Sequence, residues 1–477
     1  MGIKKNFLYN VILTLSSYIV SLIVFPYVAR TLGVESIGRL DFSNNIIAYF
    51  SLFSLMGVST IGIREIASAG NDREKRSRIF SSILGFILFL TSISLIIFFI
   101  SIFCVEKFQS YRNLLIIGSF SLFFTSLLIE WLYQGTEQFK YISNRTILIR
   151  ILYAFSIFIF VNDRDDIYVY YFLTILSTCL NALINLFCSK KYVDFKLSYI
   201  QPFRYAKDIL SLGVYKILTS MYTTFNVIYL GFIASDTQVG FYATSTKLFH
   251  ILLGLLTAFT SVMLPRMSAL ISENRYNEFK SKIDYSFDLI FMFAIPTIIL
   301  TICFAPNIIF LLSGPGFEGA IIPMRIITPM LFITGIAQIF VVQILMPLKK
   351  DKVILFGSVT GAIVGISSNL ILVGNYGAVG TALTLLFSEI SCTLCAFIYI
   401  TSHKIVEFPW KKMAKYFVGS IPYIIICYLI INIIDNYIYQ LLISAIFSMC
   451  YFIILNVFII KNTLIDNFLK SLKARIK

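Results

Sequence analysis

A chain of 477 residues with 58% hydrophobic side chains, 46 Phe and 28 Tyr, but only 13% charged residues, has too little charge to cover a water-facing surface, for which about a quarter is usual. With a mean hydropathy of +0.86 it must be solvated by lipid, which excludes soluble enzymes and soluble binding modules. The net charge of +15 would point to nucleic acid in a soluble protein; here it is first a topology signal.

The opening "MGIKKN" leads directly into an apolar run from Phe7 to Val28 with no small-residue cleavage site, so the first span is expected to be a retained helix. Polar breaks delimit fourteen predicted spans: 7–29, 38–60, 79–104, 113–133, 146–161, 167–188, 209–234, 240–264, 286–312, 324–347, 353–374, 379–401, 416–434 and 438–460. With the N-terminus in the cytoplasm, 31 of the 39 basic residues fall in the alternate, inner segments. One of these segments carries Lys140, Arg145 and Arg150, and the linker after span six carries Lys190, Lys191, Lys196, Arg204 and Lys207. Six basic residues fall outside (Arg30, Arg39, Lys107, Arg112, Arg164 and Arg325), and Lys216 and Lys247 lie within spans. The positive charge therefore expresses positive-inside topology with both termini cytoplasmic, and it requires no nucleic acid.

The predicted outer loops, such as "ASDTQVG" and "GNYGAVG", are too short to form a domain. That disfavours polysaccharide polymerases and ligases, which carry a large external loop, and membrane glycosyltransferases, which need a catalytic domain. Cys392 and Cys395 form a C-x-x-C inside the apolar run "SEISCTLCAFIYI" with no second ligand pair nearby, so they read as small residues on one helix face. No Ser-His-Asp set, Walker loop or metal-ligand cluster occurs. The chain is expected to be no enzyme, with no catalytic residue, no metal and no bound cofactor.

The segment "TLGVESIGRLDFSNN" (31–45) echoes "IASDTQVGFYATSTK" (233–247), with Gly38 and Gly240 at matching offsets. Their separation of about six spans suggests two similar six-helix lobes, a common transporter plan. "RTLGVESIGRLDF", "IREIAS", "EWLYQGTEQFKYISNRTILIR", "VGFYATSTKLFHIL", "LSGPGFEGA" and "GNYGAVGTALTLLFSE" resemble the polysaccharide-export (Wzx-type, O-antigen repeat-unit) flippases. That family belongs to the multidrug/oligosaccharidyl-lipid/polysaccharide exporter superfamily. The resemblance runs from about residue 7 to 415. It implies an all-α polytopic membrane protein of about 14 transmembrane helices, arranged as two six-helix lobes plus two C-terminal helices. The expected divisions are an N-terminal lobe over 1–188, a basic cytoplasmic linker over 189–208, a C-terminal lobe over 209–402, and two additional helices with a basic tail over 403–477. The implied activity is alternating-access transfer of a polyprenyl-diphosphate-linked oligosaccharide across the bacterial inner membrane, for O-antigen, lipopolysaccharide or other surface polysaccharide synthesis. Implied partners are that lipid-linked oligosaccharide, membrane lipid, and the polysaccharide polymerase and chain-length proteins.

A diphosphate and its sugars cannot cross hydrocarbon unaided, so such a substrate calls for cations facing a wet cavity. Candidates are Lys247, Lys216, Arg30 and Arg39. For Lys216, snorkelling to the interface is an equal reading, and for Arg30 and Arg39 interfacial anchoring is the alternative. Glu389 and Asp41 are candidates for H+ or Na+ coupling, since a carboxyl in a membrane cavity can carry a proton at neutral pH; the alternative for each is a structural partner. Intramembrane amides, among them Asn226, Gln338, Gln343 and Asn369, read first as glue between helices. Two rival functions remain: a cation-coupled multidrug-type antiporter, which would favour an acidic cavity, and a membrane scaffold of a polysaccharide assembly complex, for which the basic tail 461–477 would be the contact.

Overall fold

The computed structural model describes residues 3–201, 203–221 and 223–460; the tail 461–477 lies outside the described residues. The described chain is all helical, and it divides between Ala243 and Thr244 into two compact units. Eleven of its helices are long and apolar enough to cross a membrane, with Thr224–Ile233 as a shorter apolar helix.

Unit one opens with α1 (Ile3–Leu55), 53 residues kinked at Gly33, φ 78° and ψ 171°. That conformation lies in the region essentially reserved for glycine. It follows as α2 (Val58–Ser68), α3 (Arg73–Cys104), α4 (Glu106–Gln109), α5 (Arg112–Ser126), α6 (Glu130–Gly135) and α7 (Phe139–Phe160). Then come α8 (Ile167–Ser189), α9 (Ala206–Ser220), α10 (Thr224–Ile233) and the start of α11 (Asp236–Ser272). Large side chains such as Ile96, Phe120, Phe155 and Phe187 are exposed, as expected where the surrounding solvent is hydrocarbon. Inside, Val58, Ile61, Phe80, Ile83 and Leu132 form a buried cluster around Trp131. Gly62 lets the indole lie against the α2 backbone, because a Cβ there would stand 2.6 Å from the ring.

The two echoing segments meet. At Gly38 on α1, a Cβ would lie 1.8 Å from the Asp236 carbonyl oxygen, and at Gly240 on α11 one would lie 2.2 Å from the Val34 carbonyl oxygen. The backbones cross through paired glycines, as small residues permit in membranes. Phe42 seals the crossing: its ring is tilted against Tyr111 (4.8 Å between ring centroids) and edge-on to Phe232 (5.8 Å), and it lies over Gly231.

The segment after α8 lies along α3 as a strap. Ser77 Oγ accepts from Asp194 N (2.9 Å) and Ser81 Oγ from Lys196 N (3.3 Å). Ser82 Oγ accepts from Gln201 N (3.2 Å) and donates to the Tyr199 carbonyl (3.0 Å).

Unit two contains the rest of α11, α12 (Tyr276–Cys303), α13 (Ala305–Ser313), α14 (Ile321–Ile327) and α15 (Met330–Gln338), which runs on as a π-helical stretch Ile339–Leu345. It ends with α16 (Asp351–Ser402), α17 (Trp410–Gly419), α18 (Ile421–Ile433) and α19 (Tyr437–Ile454). α16 repeats the device of α1: 52 residues bent at Gly377, φ 51° and ψ −124°. Its two arms pack with Gly357 and Thr360 against Cys392 and Cys395, and Thr360 Oγ1 lies 3.2 Å from Cys395 Sγ; the C-x-x-C is a packing surface. Lys412 on α17 donates to Asp284 (2.6 Å) and Asp288 (3.0 Å) on α12, tying the last helices to the unit.

The basic segment Lys140, Arg145 and Arg150 falls on α7, which begins at Phe139, and Arg145 is buried. Arg145 and Arg150 find partners inside the unit, Arg150 donating to the Leu13 carbonyl and to Ser16 Oγ (both 2.7 Å), while Lys140 is exposed.

Replacing Gly38 by Ala is expected to force the α1–α11 crossing apart, at a cost of about 1–3 kcal/mol as for other overpacked sites. The check is the midpoint of thermal unfolding in detergent, with Gly70→Ala, where nothing lies within 4 Å, as the control for positive-φ strain without a clash.

Candidate functional site

A polar cluster in unit one begins with a break in a helix. Between α5 and α6 the chain passes Leu127–Ile129, and Ile129 is held at φ 40°, a left-handed conformation costly for a β-branched residue. The break frees the Leu128 carbonyl, which accepts from Asn185 Nδ2 on α8. It also starts α6 at Glu130, whose carboxylate accepts from Arg145 Nη2 at 3.2 Å. Arg145 further donates to Asn185 Oδ1, to Thr146 Oγ1 (2.8 Å) and to the Asn181 carbonyl (3.4 Å), and its guanidinium lies 5.7 Å from the Tyr141 ring centroid. Tyr133 OH donates to the Asn185 carbonyl, closing the network. The Arg145 side chain is 6% exposed and that of Glu130 38%, so the cation is enclosed while the carboxylate keeps an open edge. Four of the five guanidinium N–H groups are engaged by protein, which makes this arginine a structural anchor rather than a phosphate clamp.

A second cluster gathers hydroxyls. Asp41 on α1 accepts from Asn45 Nδ2 at 3.2 Å and lies within electrostatic reach of Tyr170 on α8 and Tyr242 on α11. Tyr170 hydrogen-bonds Tyr153, whose hydroxyl is 3.2 Å from Thr174 Oγ1. Carboxylate, amide, phenols and hydroxyl together can exchange hydrogen bonds with a polyhydroxylated ligand or with protons.

The sequence-selected residues are distributed as follows. Arg30 is exposed three residues before the Gly33 bend, and Arg39 is half-buried after it, beside Tyr111. Tyr111 OH donates to the Asp236 carboxylate, and burial first, then that carboxylate, pushes its phenol well up, so it stays a neutral donor. Lys216 is exposed on α9 in unit one. Lys247 is half-buried on α11 in unit two, one turn from His250. Glu389 is half-buried on the second arm of α16, facing Thr334 of α15. Unit one thus unites Asp41 with a tyrosine cluster and Arg39 with Tyr111; Lys216 and Lys247 belong to different units.

Two of the amides act as helix glue. Gln338 bridges α15 to Thr257 (2.9 Å) and Thr260 (2.8 Å) of α11, and Gln343 accepts from Ser286 of α12 at 2.7 Å. Sequence reasoning missed Asn185, Tyr153, Tyr170, Thr174 and Tyr242. The available signal was the i,i+4 pairing of Asn181 with Asn185 and of Tyr170 with Thr174 on one helix.

A family model described as polysaccharide biosynthesis protein matches residues 3–271. Two curated proteins, both named "Putative O-antigen transporter", are similar over nearly their whole length. The Escherichia coli (strain K12) protein is 25% identical, covering 85% of this chain and 98% of its own. The Shigella dysenteriae protein is 27% identical, covering 82% and 98%. Among solved structures, the fold is similar to one described as lipid II flippase MurJ in an inward closed conformation. Its TM-score is 0.76 at 16% identity, with 94% of this chain and 98% of that chain covered. It is also similar to an inward-facing multidrug resistance MATE family transporter, with a TM-score of 0.62 at 17% identity and coverage of 82% and 94%. At these identities the structural likenesses speak for the fold alone.

Breaking the Arg145 network tests its structural role. Arg145→Ala is expected to destabilise by about 3 kcal/mol, the lower end for a buried pair because Glu130 remains partly open. Arg145→Lys, which keeps the charge and loses the fork, should cost less. Thermal unfolding of both variants in detergent gives the order; equal midpoints for wild type and alanine variant would remove the anchor role.

Proposed function

The chain belongs to the polysaccharide biosynthesis protein family, and from that membership we infer that it is a flippase for polyprenyl-diphosphate-linked oligosaccharide repeat units. It moves them by alternating access from the cytoplasmic to the outer face of the bacterial inner membrane, for O-antigen or another surface polysaccharide. The observation that carries this reading is the similarity to proteins named as O-antigen transporters over 98% of their length. The intramembrane hydroxyl cluster around Asp41 supports it, because sugars need hydrogen-bonding partners where lipid supplies none.

The chain crosses fourteen times: α1 and α16 each cross twice by folding at Gly33 and Gly377, and α9 with the shorter α10 supplies a further pass; 53 and 52 residues are long enough for the double crossings at about 1.5 Å per residue. Both termini are cytoplasmic. The diphosphate meets Lys247 and Lys216, with Arg30 and Arg39 as further cations near the Gly33 bend. The polyprenyl tail stays in hydrocarbon. In unit two, Ile295, Ile298 and Ile299 of α12 with Phe417, Val418 and Ile424 of α17 and α18 line a groove of about 400 Å³ with almost no polar surface, and such a chain fits it. Glu389 or Asp41 carries the coupling H+ or Na+, and polymerase and chain-length proteins take over the product.

Lys247→Ala is expected to weaken diphosphate binding ten- to hundredfold, from about 1–3 kcal/mol for a charge-assisted hydrogen bond. Lys247→Arg should export more nearly as wild type. The measurement is surface polysaccharide restored to a flippase-deficient strain at equal membrane levels of protein, with lipid-linked intermediate followed on the inner face. Normal export by both Lys247→Ala and Lys216→Ala would make these lysines anchors.

Topology is tested separately. A single cysteine at position 76 or 412, in a cysteine-free background, should resist an impermeant thiol reagent in intact cells. Labelling at either position reverses the orientation.

A further inference from the structure

We propose that the strap over residues 190–205, held on α3 by Ser77, Ser81 and Ser82, forms with the first turn of α9 a docking surface for anionic phospholipid headgroups. Five basic side chains project from it, Lys190, Lys191, Lys196, Arg204 and Lys207, and all are exposed. Its two carboxylates are both taken by helix arginines. Asp194 accepts from Arg73 Nε and Nη2 (3.1 and 2.9 Å), and Asp208 from Arg64 Nη2 (3.3 Å). Among the described residues none of the five cations forms an ion pair; Lys196 and Arg204 rest over the rings of Tyr199 and Tyr205. The strap therefore presents five positive charges outside any ion pair, Arg204 alone standing at the edge of a cleft that also holds carboxylates.

Its apolar side chains identify the partner as lipid rather than nucleotide or acidic protein. Leu197 is 77% exposed and Phe203 67%. Phe203 packs edge-on against Phe86 and Phe89 of α3, at 6.3 and 5.9 Å. Phe89 is itself exposed on the face of α3 that continues through Ile93, Ile96 and Ile100, which is the hydrocarbon-facing side of a membrane span. The strap thus continues a lipid-facing surface and adds cations at its end. Apolar residues reaching into a leaflet with lysines beside them is the composition that binds acidic membrane surfaces. The neighbouring cleft of about 530 Å³ is a poorer anion site, because Glu65, Asp72 and Glu74 offset Lys75, Arg78 and Arg204.

The test uses the full chain in detergent with equal amounts of dioleoyl phosphatidylglycerol and dioleoyl phosphatidylcholine, counting retained lipids by native mass spectrometry. Wild type should retain phosphatidylglycerol at least tenfold over phosphatidylcholine, and the preference should fall with rising salt. The preference should fall stepwise as charges are removed, and glutamine at all five positions should bring the two lipids to parity. Arginine in place of the four lysines should preserve the preference, and Leu197→Ser with Phe203→Ser should reduce retention of both lipids. Equal retention by wild type overturns the proposal, as does an unchanged preference in the glutamine variant. Displacement of phosphatidylglycerol by inorganic phosphate also overturns it, by reducing the surface to a phosphate site. No transport is measured, so failure here leaves the flippase reading standing, and the reverse holds.

Discussion

In hydrocarbon every peptide N–H and C=O must be satisfied within the protein, and the departures from helix in this chain are organised by that demand. At Gly33 and Gly377 the helical geometry is broken at a single residue, with helix resuming at once on either side. At Leu127–Ile129 the helix opens, and the freed Leu128 carbonyl is met by the Asn185 amide. That compensation carries a charge with it: Asn185 also receives Arg145, and Arg145 holds Glu130 at the first residue of the next helix. A local backbone strain, a buried amide and an ion pair are one construction, and none of the three would stand in lipid without the others.

Unit two meets the same demand with neutral groups. Gln338, Thr257 and Thr260 join α15 to α11, and Gln343 and Ser286 join the π-helical stretch to α12. A π-helical stretch shifts the side-chain register within one helix, and here it brings Gln343 to full burial. Among the charged contacts in this unit, that of Lys412 with Asp284 and Asp288 has side chains about half exposed except Asp288. It is an end fastening rather than a core interaction.

Much of this was legible in the sequence for reasons that can be named. Membrane helices follow from unbroken apolar runs, and the runs are long. The breaks at "TLGVE" and "GNYGAVG" were visible as short loops, though not as single-residue bends with helix on either side, and the Gly38/Gly240 echo identified two segments that turn out to touch. Charge was harder. Counting lysine and arginine assumes that each sits in water, and Arg145 does not; its partners Glu130 and Asn185 lie 15 and 40 residues away. The tyrosine cluster around Asp41 was hidden for a different reason. With 28 Tyr in the chain, no single one stands out, and only the helical spacing of Tyr170 with Thr174 marks a polar stripe.

The single-residue bends have a consequence for anyone handling the protein. A protease needs an extended stretch of chain in its cleft, and an inserted epitope needs slack on both sides. Gly33 and Gly377 provide neither, since helix begins again at the next residue. These two ends of the hairpins should therefore resist limited digestion and reject tags, and a reporter meant for them belongs on a neighbouring connection whose backbone is already free of helix.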